Sequence, residues 1–188
     1  MKPGINNLWS SSILIDKITD SDLLVRFSQE MISTIDIRNP PSDSANYDII
    51  KEFGAIGSEF KKKIIDPAFN SYLQQSYNKS LSDFNDYDYR TWTKSAVNGY
   101  KIECHNHPPA IASGIFYLCF EEKTSGGEIV FLDPRDWPTH SIEYDRREIE
   151  FLPKTGDIII FPSFMYHYTR VFTGVIRLML SVDLIKQE

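Results

Sequence analysis

The stretch "GDIIIFPSFMYHYTRVFTGVIRLMLSVDL", residues 156–184, decides the predicted fold. It contains three short runs rich in β-branched and aromatic residues, and turn residues such as Thr173-Gly174 separate them. Runs of this length and composition, bounded by turns, are typical of β-strands. No helical periodicity lies between them, which disfavours a parallel sheet built from strand–helix–strand units. The stretch therefore predicts successive strands of a sandwich or barrel.

Five further runs of the same character precede this stretch, so the strand-rich region begins at Tyr87. They are "YDYRTWTKSAV" (87–97), "YKIECHNH" (100–107), "SGIFYLCF" (113–120), "GGEIVFLD" (126–133) and "REIEFLP" (147–153). Eight short strands at roughly regular spacing fit a jelly roll, which is a double-stranded β-helix made of two sheets. The sequence thus predicts a mostly β protein.

The first 86 residues predict one strand followed by helices. The run "NLWSSSILID" (7–16) favours an opening strand. Next, "TDSDLLVRFSQEMIST" (19–34) spaces its apolar residues helically and offers Asp20 or Ser21 as the N-cap.

A second helical stretch runs from Tyr47 to Tyr77, and Pro67 is expected to end or kink it because proline has no backbone N–H. We predict a single domain spanning residues 1–188. Residues 1–86 would form the N-terminal strand and supporting helices, and residues 87–188 the jelly-roll core. The helices are expected to pack on one outer face of that core.

Composition and charge disfavour several classes of function. The chain is 41% hydrophobic and 13% aromatic, as in a globular protein rather than a disordered one. Its net charge of −6 disfavours nucleic acid as a partner. Two cysteines are too few for a disulfide scaffold, and no segment has membrane-spanning length or the apolar core of a signal peptide. We therefore expect a cytoplasmic protein with no membrane partner, and a homo-oligomer is left open.

Three of the four histidines, together with one arginine, form a pattern that suggests a metal site. His105 and His107 lie two residues apart, so in a strand both imidazoles face the same side. His167 closes a later apolar strand, and Arg177 lies in the last one. Three side chains on one face of a β-cage can occupy one triangular side of an octahedral metal. An arginine in an apolar barrel requires a carboxylate partner, because an unpaired buried charge is very costly.

Three ordered motifs carry a resemblance to a known enzyme family. They are "HNHPPAIASGIFYL" (105–118), "SGGEIVFLDPR" (125–135) and "LPKTGDIIIFPSFMYH" (152–167). Through them the chain from about Trp92 to Asp183 resembles the Fe(II)- and 2-oxoglutarate-dependent oxygenases. It is most similar to an uncharacterised branch, found in bacteria and their phages, that resembles prolyl hydroxylases.

The resemblance implies a role for each matching residue. His105 and His167 would be the two histidines of the iron triad, and His107 falls where most of the superfamily has Asp or Glu. Arg177 would bind the distal carboxylate of 2-oxoglutarate, and Tyr117 would add a second hydrogen bond. Fe(II), 2-oxoglutarate and O2 are the implied cofactor and co-substrates. The implied reaction is a hydroxylation that couples decarboxylation of 2-oxoglutarate to oxidation of a C–H bond in a small-molecule or peptide substrate.

Several alternatives remain open at the level of sequence. His107 could serve as the third iron ligand, or it could only form hydrogen bonds while Glu103 or Asp133 supplies a carboxylate. Arg170 is a rival to Arg177 but follows His167 too closely to lie deep in the next strand. Two other functions also compete: a cupin-type metal-binding protein or enzyme, and a non-catalytic jelly-roll module with a relic site.

Overall fold

The protein is described by a computed structural model that covers residues 11–34, 48–120, 126–134 and 147–187. The strands in these residues are β1 Leu14–Lys17, β2 Tyr87–Ala96, β3 Ala112–Phe120, β4 Ile129–Leu132, β5 Glu148–Phe151, β6 Asp157–Pro162, β7 His167–Thr169 and β8 Arg177–Lys186. Each predicted run except residues 100–107 overlaps one of them. β1 overlaps the last three residues of the predicted opening strand and extends one residue beyond it. Residues 7–10 of that prediction fall outside the described ranges.

Two antiparallel sheets form the body of the protein. As far as the described residues go, the larger has five strands in the order β1-β6-β3-β8-β2, and the smaller has three in the order β5-β4-β7. Strands close in sequence are therefore often separated in space, as in a jelly roll. The prediction of a mostly β, double-stranded β-helix fold is confirmed.

The prediction of a regular strand over residues 100–107 is wrong. This segment runs beside β7 and, within the described ranges, forms one isolated bridge, between His105 and His167. One reason is that the hydroxyl of Thr169, rather than a backbone carbonyl, accepts the hydrogen bond from the Ile102 N–H at 2.9 Å. A side-chain acceptor in that place interrupts the regular ladder of backbone bonds.

The helices precede β2 in the chain. They are α1 Ser21–Thr34, α2 Ile49–Glu52, α3 Gly54–Phe60 and α4 Asp66–Tyr77, with a π-helical segment at Lys61–Ile65 and a 3₁₀ turn at Leu81–Asp83. Asp20 caps α1, because its carboxylate accepts a hydrogen bond from the Leu23 N–H at 3.0 Å. Among the described residues, no helix is long and apolar enough to cross a membrane.

The stretch predicted as one helix from Tyr47 to Tyr77 is subdivided at two points; Tyr47 itself lies outside the described residues. Gly54 has a φ of +51°, which separates α2 from α3. The π-helical segment ends two residues before Pro67 and joins α3 to α4. At its end the Asp66 N–H donates to the Lys61 carbonyl, five residues back. Pro67 therefore interrupts the α-helical pattern without ending the helical path.

The large sheet separates two apolar clusters by simple strand alternation. On its outer face, Phe116, Leu180 and Val182 pack against helical residues such as Phe27 and Phe69. Its inner face carries the other cluster, which includes residues of the small sheet; members are Ile115, Tyr117, Ile129, Phe131, Ile159, Phe161 and Met179. The helices thus cover one outer face, as predicted, and the inner face is free to form a cavity between the sheets.

Replacing Phe27 with alanine is expected to destabilise the protein by about 3–5 kcal/mol. The Phe27 ring is fully buried, stacks on Phe60 at 4.2 Å between centroids and meets Phe53 edge-on at 5.9 Å. Urea unfolding followed by circular dichroism measures the change. Val25→Ala on the same helix is the control: Val25 is 51% exposed, so its loss should cost less than about 0.5 kcal/mol. Equal losses in the two variants would mean that the helical layer does not stabilise the sheet.

Candidate metal centre

Three histidines from two separated segments converge between the sheets. The backbones of His105 and His167 hydrogen-bond to each other in both directions, with N···O distances of 3.0 and 2.9 Å. His107 lies two residues further along, and its N–H donates to the Ser163 carbonyl at 2.9 Å. One ring nitrogen from each histidine lies within 4.8 Å of the others. The backbone therefore sets the spacing of a three-imidazole cluster.

The hydrogen bonds of the three rings leave the same nitrogen of each ring available. Nδ1 of His105 lies 2.7 Å from the Glu103 carbonyl, and Nδ1 of His167 lies 3.1 Å from the Met165 carbonyl. A carbonyl oxygen only accepts, so both Nδ1 atoms carry the proton and both Nε2 atoms carry a lone pair. Nε2 of His107 is buried with no hydrogen-bond partner among the described residues. Three imidazole Nε2 atoms of this kind fit a divalent transition metal.

Burial favours the uncharged form of the His167 and His105 imidazoles, which is the form that binds a metal. Desolvation lowers the pKa of His167 to about 3, and the neighbouring His105 adds to the effect. Desolvation is also the main cause that lowers the pKa of His105. Both rings are therefore neutral near pH 7, so a metal need not displace a proton from either.

The sequence pattern did not identify Asp183, whose buried carboxylate lies beside His107. Asp183 is fully buried, and its Oδ1 accepts from Nδ1 of His107 at 2.9 Å and from the Ser113 hydroxyl at 2.6 Å. Its Oδ2 accepts from the Arg90 guanidinium at 2.6 Å. The strand register explains the grouping, because Asp183 on β8 lies opposite Arg90 on β2 and Ser113 on β3. An acidic residue inside the apolar run "RLMLSVDL" was the available signal, since a buried charge needs partners.

Arg177 lies at the start of β8, on the same strand face as Asp183. Its guanidinium is fully buried, donates to the Gly127 carbonyl at 3.2 Å and lies 5.4 Å from the centroid of the Phe172 ring. A Cβ at position 127 would stand 3.0 Å from Phe172 and 3.3 Å from Nη1 of Arg177, so glycine leaves the room this packing needs. Nε and Nη2 of Arg177 have no partner among the described residues. These two donors suit a carboxylate that enters from outside the chain.

Tyr117 provides a further donor in this part of the protein. It is fully buried, and its hydroxyl has no hydrogen-bond partner among the described residues. Burial raises its pKa, so the phenol stays protonated and can donate. Burial also lowers the pKa of Arg177 from its usual very high value, although a guanidinium remains charged at neutral pH.

A cavity on the inner face of the large sheet links the histidine cluster to Tyr117. Two cross-strand rows form its floor: Trp92, Ser181 and Ile115 in one, Lys94, Met179 and Tyr117 in the other. Ile102, Thr169 and the three histidines complete the lining. Ser181 therefore supplies a hydroxyl on this floor.

The rival candidates lie elsewhere. The Glu103 side chain is exposed and pairs with Lys101 at 2.9 Å. Within the described residues, the only cluster of possible metal ligands is the three histidines, so it includes neither Glu103 nor Asp133. Arg170 is about half exposed and pairs with Glu148 and Glu150. The structure therefore brings together His105, His107 and His167 and leaves the alternatives outside.

Comparisons with known proteins agree with this geometry. The sequence pattern of the family described as "Putative 2OG-Fe(II) oxygenase" matches residues 90–183, which is half of the chain. A search of curated proteins finds no match.

Solved structures share the fold at low sequence identity. A prolyl-4-hydroxylase from Pseudomonas putida aligns with a TM-score of 0.58 and 16% identity, over 95% of this chain and 89% of the other. HygX from Streptomyces hygroscopicus, with nickel and 2-oxoglutarate bound, aligns with a TM-score of 0.64 and 11% identity over 93% and 81%. An oxidoreductase of the 2OG-Fe(II) oxygenase family from Burkholderia pseudomallei gives a TM-score of 0.50 and 16% identity over 69% of this chain. The match spans only 55% of that protein's length.

The match over half of the chain and the shared jelly roll lead to one assignment. Fe(II), 2-oxoglutarate and O2 are the cofactor and co-substrates that this assignment implies, and the three-imidazole cluster is chemically suited to the metal. The chain belongs to the 2OG-Fe(II) oxygenase family and is a 2-oxoglutarate- and Fe(II)-dependent oxygenase.

Proposed function

We propose that the protein is a hydroxylase that couples decarboxylation of 2-oxoglutarate to oxidation of a C–H bond in a small molecule or peptide. His105, His107 and His167 hold Fe(II) through Nε2, and Arg177 with Tyr117 binds the distal carboxylate of 2-oxoglutarate. One observation carries the proposal. A cluster of three imidazoles lies on the inner side of one sheet, together with a buried guanidinium that has two nitrogens without a partner in the described residues. Fe(II), once bound, supplies the reaction with O2 that no side chain of the site can supply.

The all-histidine cluster suits an anionic co-substrate. Neutral imidazoles offset none of the metal's charge, whereas a carboxylate ligand would offset one unit. The doubly charged 2-oxoglutarate can therefore provide the missing negative charge itself. Lys94 also lines the cavity and adds positive charge on the same side.

The arginine and tyrosine define the far end of the co-substrate site. The Arg177 guanidinium is already removed from water in the folded protein. A carboxylate can therefore bind there with little further desolvation of the guanidinium. Tyr117, kept protonated by burial, donates a hydrogen bond to the same group. A guanidinium recognises a planar carboxylate by a two-point contact, which uses two of its N–H donors.

The nature of the substrate rests on the similar proteins and on the cavity lining. Likeness to a prolyl-4-hydroxylase makes a prolyl residue one candidate, and Trp92 and Ile102 offer apolar contact area to a peptide or a small molecule. We further propose that residues 1–188 act as one domain, since the helices cover the back of the sheet that carries the site.

An anaerobic titration tests the function. We expect a weak visible absorption band that develops only when Fe(II) and 2-oxoglutarate are both present, because the keto acid binds the metal directly. Succinate release in air, enhanced by a true substrate, should follow. Metal uptake that is indifferent to 2-oxoglutarate would favour a cupin-type protein. A chain that takes up no metal would be a jelly-roll module with a relic site, and either result would refute the proposal.

Arg177→Met should weaken 2-oxoglutarate binding by about 10- to 100-fold, since charge-assisted hydrogen bonds contribute roughly 1.5–3 kcal/mol. Metal binding should stay within about twofold of the unmodified protein, because the contacts of the Arg177 guanidinium are with Gly127 and Phe172. Removing a buried, incompletely paired charge should leave the melting temperature of the ligand-free protein unchanged or higher. Isothermal titration calorimetry and thermal unfolding give the three quantities.

Arg170→Met is the matched control, since Arg170 pairs with exposed glutamates on the small sheet. It should leave 2-oxoglutarate affinity unchanged. Equal effects of the two substitutions would rule out a specific role for Arg177.

A further inference from the structure

The His107 ring is restrained from several directions. Trp92 stacks against it with centroids 5.5 Å apart, and Phe161 meets it edge-on at 6.2 Å. Its Nδ1 lies 2.9 Å from Asp183, and its Nε2 has no hydrogen-bond partner in the described chain. One of its ring nitrogens lies within 4.8 Å of a ring nitrogen of each of the other two histidines. This histidine is thus oriented by packing and by one polar contact.

Asp183 is itself fully paired, and its partners constrain how it acts. Oδ2 binds the Arg90 guanidinium, which cannot accept a hydrogen bond, and Arg90 also lies over the Trp92 ring at 5.6 Å. Oδ1 binds the Ser113 hydroxyl and His107. A carboxylate flanked by these donors acts as an acceptor only, so the hydrogen on the His107 contact must belong to Nδ1.

We propose that Asp183 is a positioning residue of the metal centre. Its carboxylate keeps the proton of His107 on Nδ1, so that Nε2 presents its lone pair to the metal, and Arg90 holds the carboxylate in place. The inference rests on the proposed function, in which His107 is an iron ligand. His107 would bind the metal directly, and the Asp183 carboxylate would act on the metal only through its hydrogen bond to His107.

Asp183→Asn is the sharpest test because Arg90 dictates how the amide turns. Arg90 only donates, so it faces the amide oxygen and leaves the NH₂ group pointing at Nδ1 of His107. Nδ1 of His107 must then accept a hydrogen bond, so the proton of the neutral ring moves to Nε2. Nε2 then has no lone pair with which to bind the metal. Loss of such a supporting contact typically costs about 10- to 100-fold in metal affinity. We expect a decrease of that size in Co(II) binding, measured by its visible absorption in the absence of 2-oxoglutarate.

A second substitution should reverse the defect. With Asp183→Asn and Arg90→Gln combined, the glutamine carbonyl can accept from the amide NH₂, so the amide oxygen can turn back to His107. We expect the double variant to regain most of the lost Co(II) affinity. A merely structural role for Asp183 predicts no recovery, since the double variant would add a second defect to the first. Asp157→Asn, which alters a carboxylate paired with Lys17, is the control and should leave Co(II) affinity unchanged.

The tautomer of His107 can be measured in the unmodified protein, so this test does not depend on the folding of a variant. The chain has four histidines, so ¹⁵N-labelled imidazole spectra at mildly alkaline pH are simple enough to assign. We expect His107 to carry its proton on Nδ1 in both the metal-free and the Zn(II)-loaded protein. A proton on Nε2, unchanged Co(II) affinity in Asp183→Asn, or no recovery in the double variant would each overturn the inference. Failure of the unmodified protein to bind any metal would instead refute the proposed function, and the metal-free tautomer would still test Asp183.

Discussion

A charge buried inside a protein must be paired, and the structure meets this constraint in two different ways along one strand. Asp183 and Arg177 are both fully buried on the inner face of β8. Asp183 finds its partners within the chain, in Arg90, Ser113 and His107. Arg177 finds one carbonyl and leaves two nitrogens without a partner among the described residues. The same electrostatic requirement therefore orders the histidine cluster from within the chain, whereas at Arg177 it favours the external carboxylate that we propose.

The position of β8 makes this arrangement possible. It lies between β2 and β3, so each inward side chain has a neighbour on both sides. The outward residues of the same strand, such as Leu180 and Val182, belong to the apolar cluster that packs on the helices. Core formation and site construction thus use alternate residues of one strand, and the helical layer supports the cavity from behind.

Much of this could be predicted from the sequence, and the failures have local causes. Strand alternation and the order of the motifs singled out His105, His107, His167 and Arg177, because those signals lie in short stretches. Asp183 was missed because its partners are set by cross-strand register, which a single sequence does not reveal. Residues 100–107 look like a strand by composition, yet a threonine hydroxyl takes the place of a backbone acceptor. The helical path through Pro67 depends on a π turn, which periodicity alone does not indicate.

Because β8 is paired with a strand on each side, a change in its length affects both faces of the sheet. Side chains alternate faces with a period of two, so inserting or deleting one codon between those for Arg177 and Asp183 would turn part of the strand over. Leucines would enter the cavity, and a charged residue would be pressed against the helices. Such a change would abolish the hydrophobic core and the chemistry together. We therefore expect the protein to tolerate single substitutions on either face of β8 but not a one-residue insertion or deletion within it.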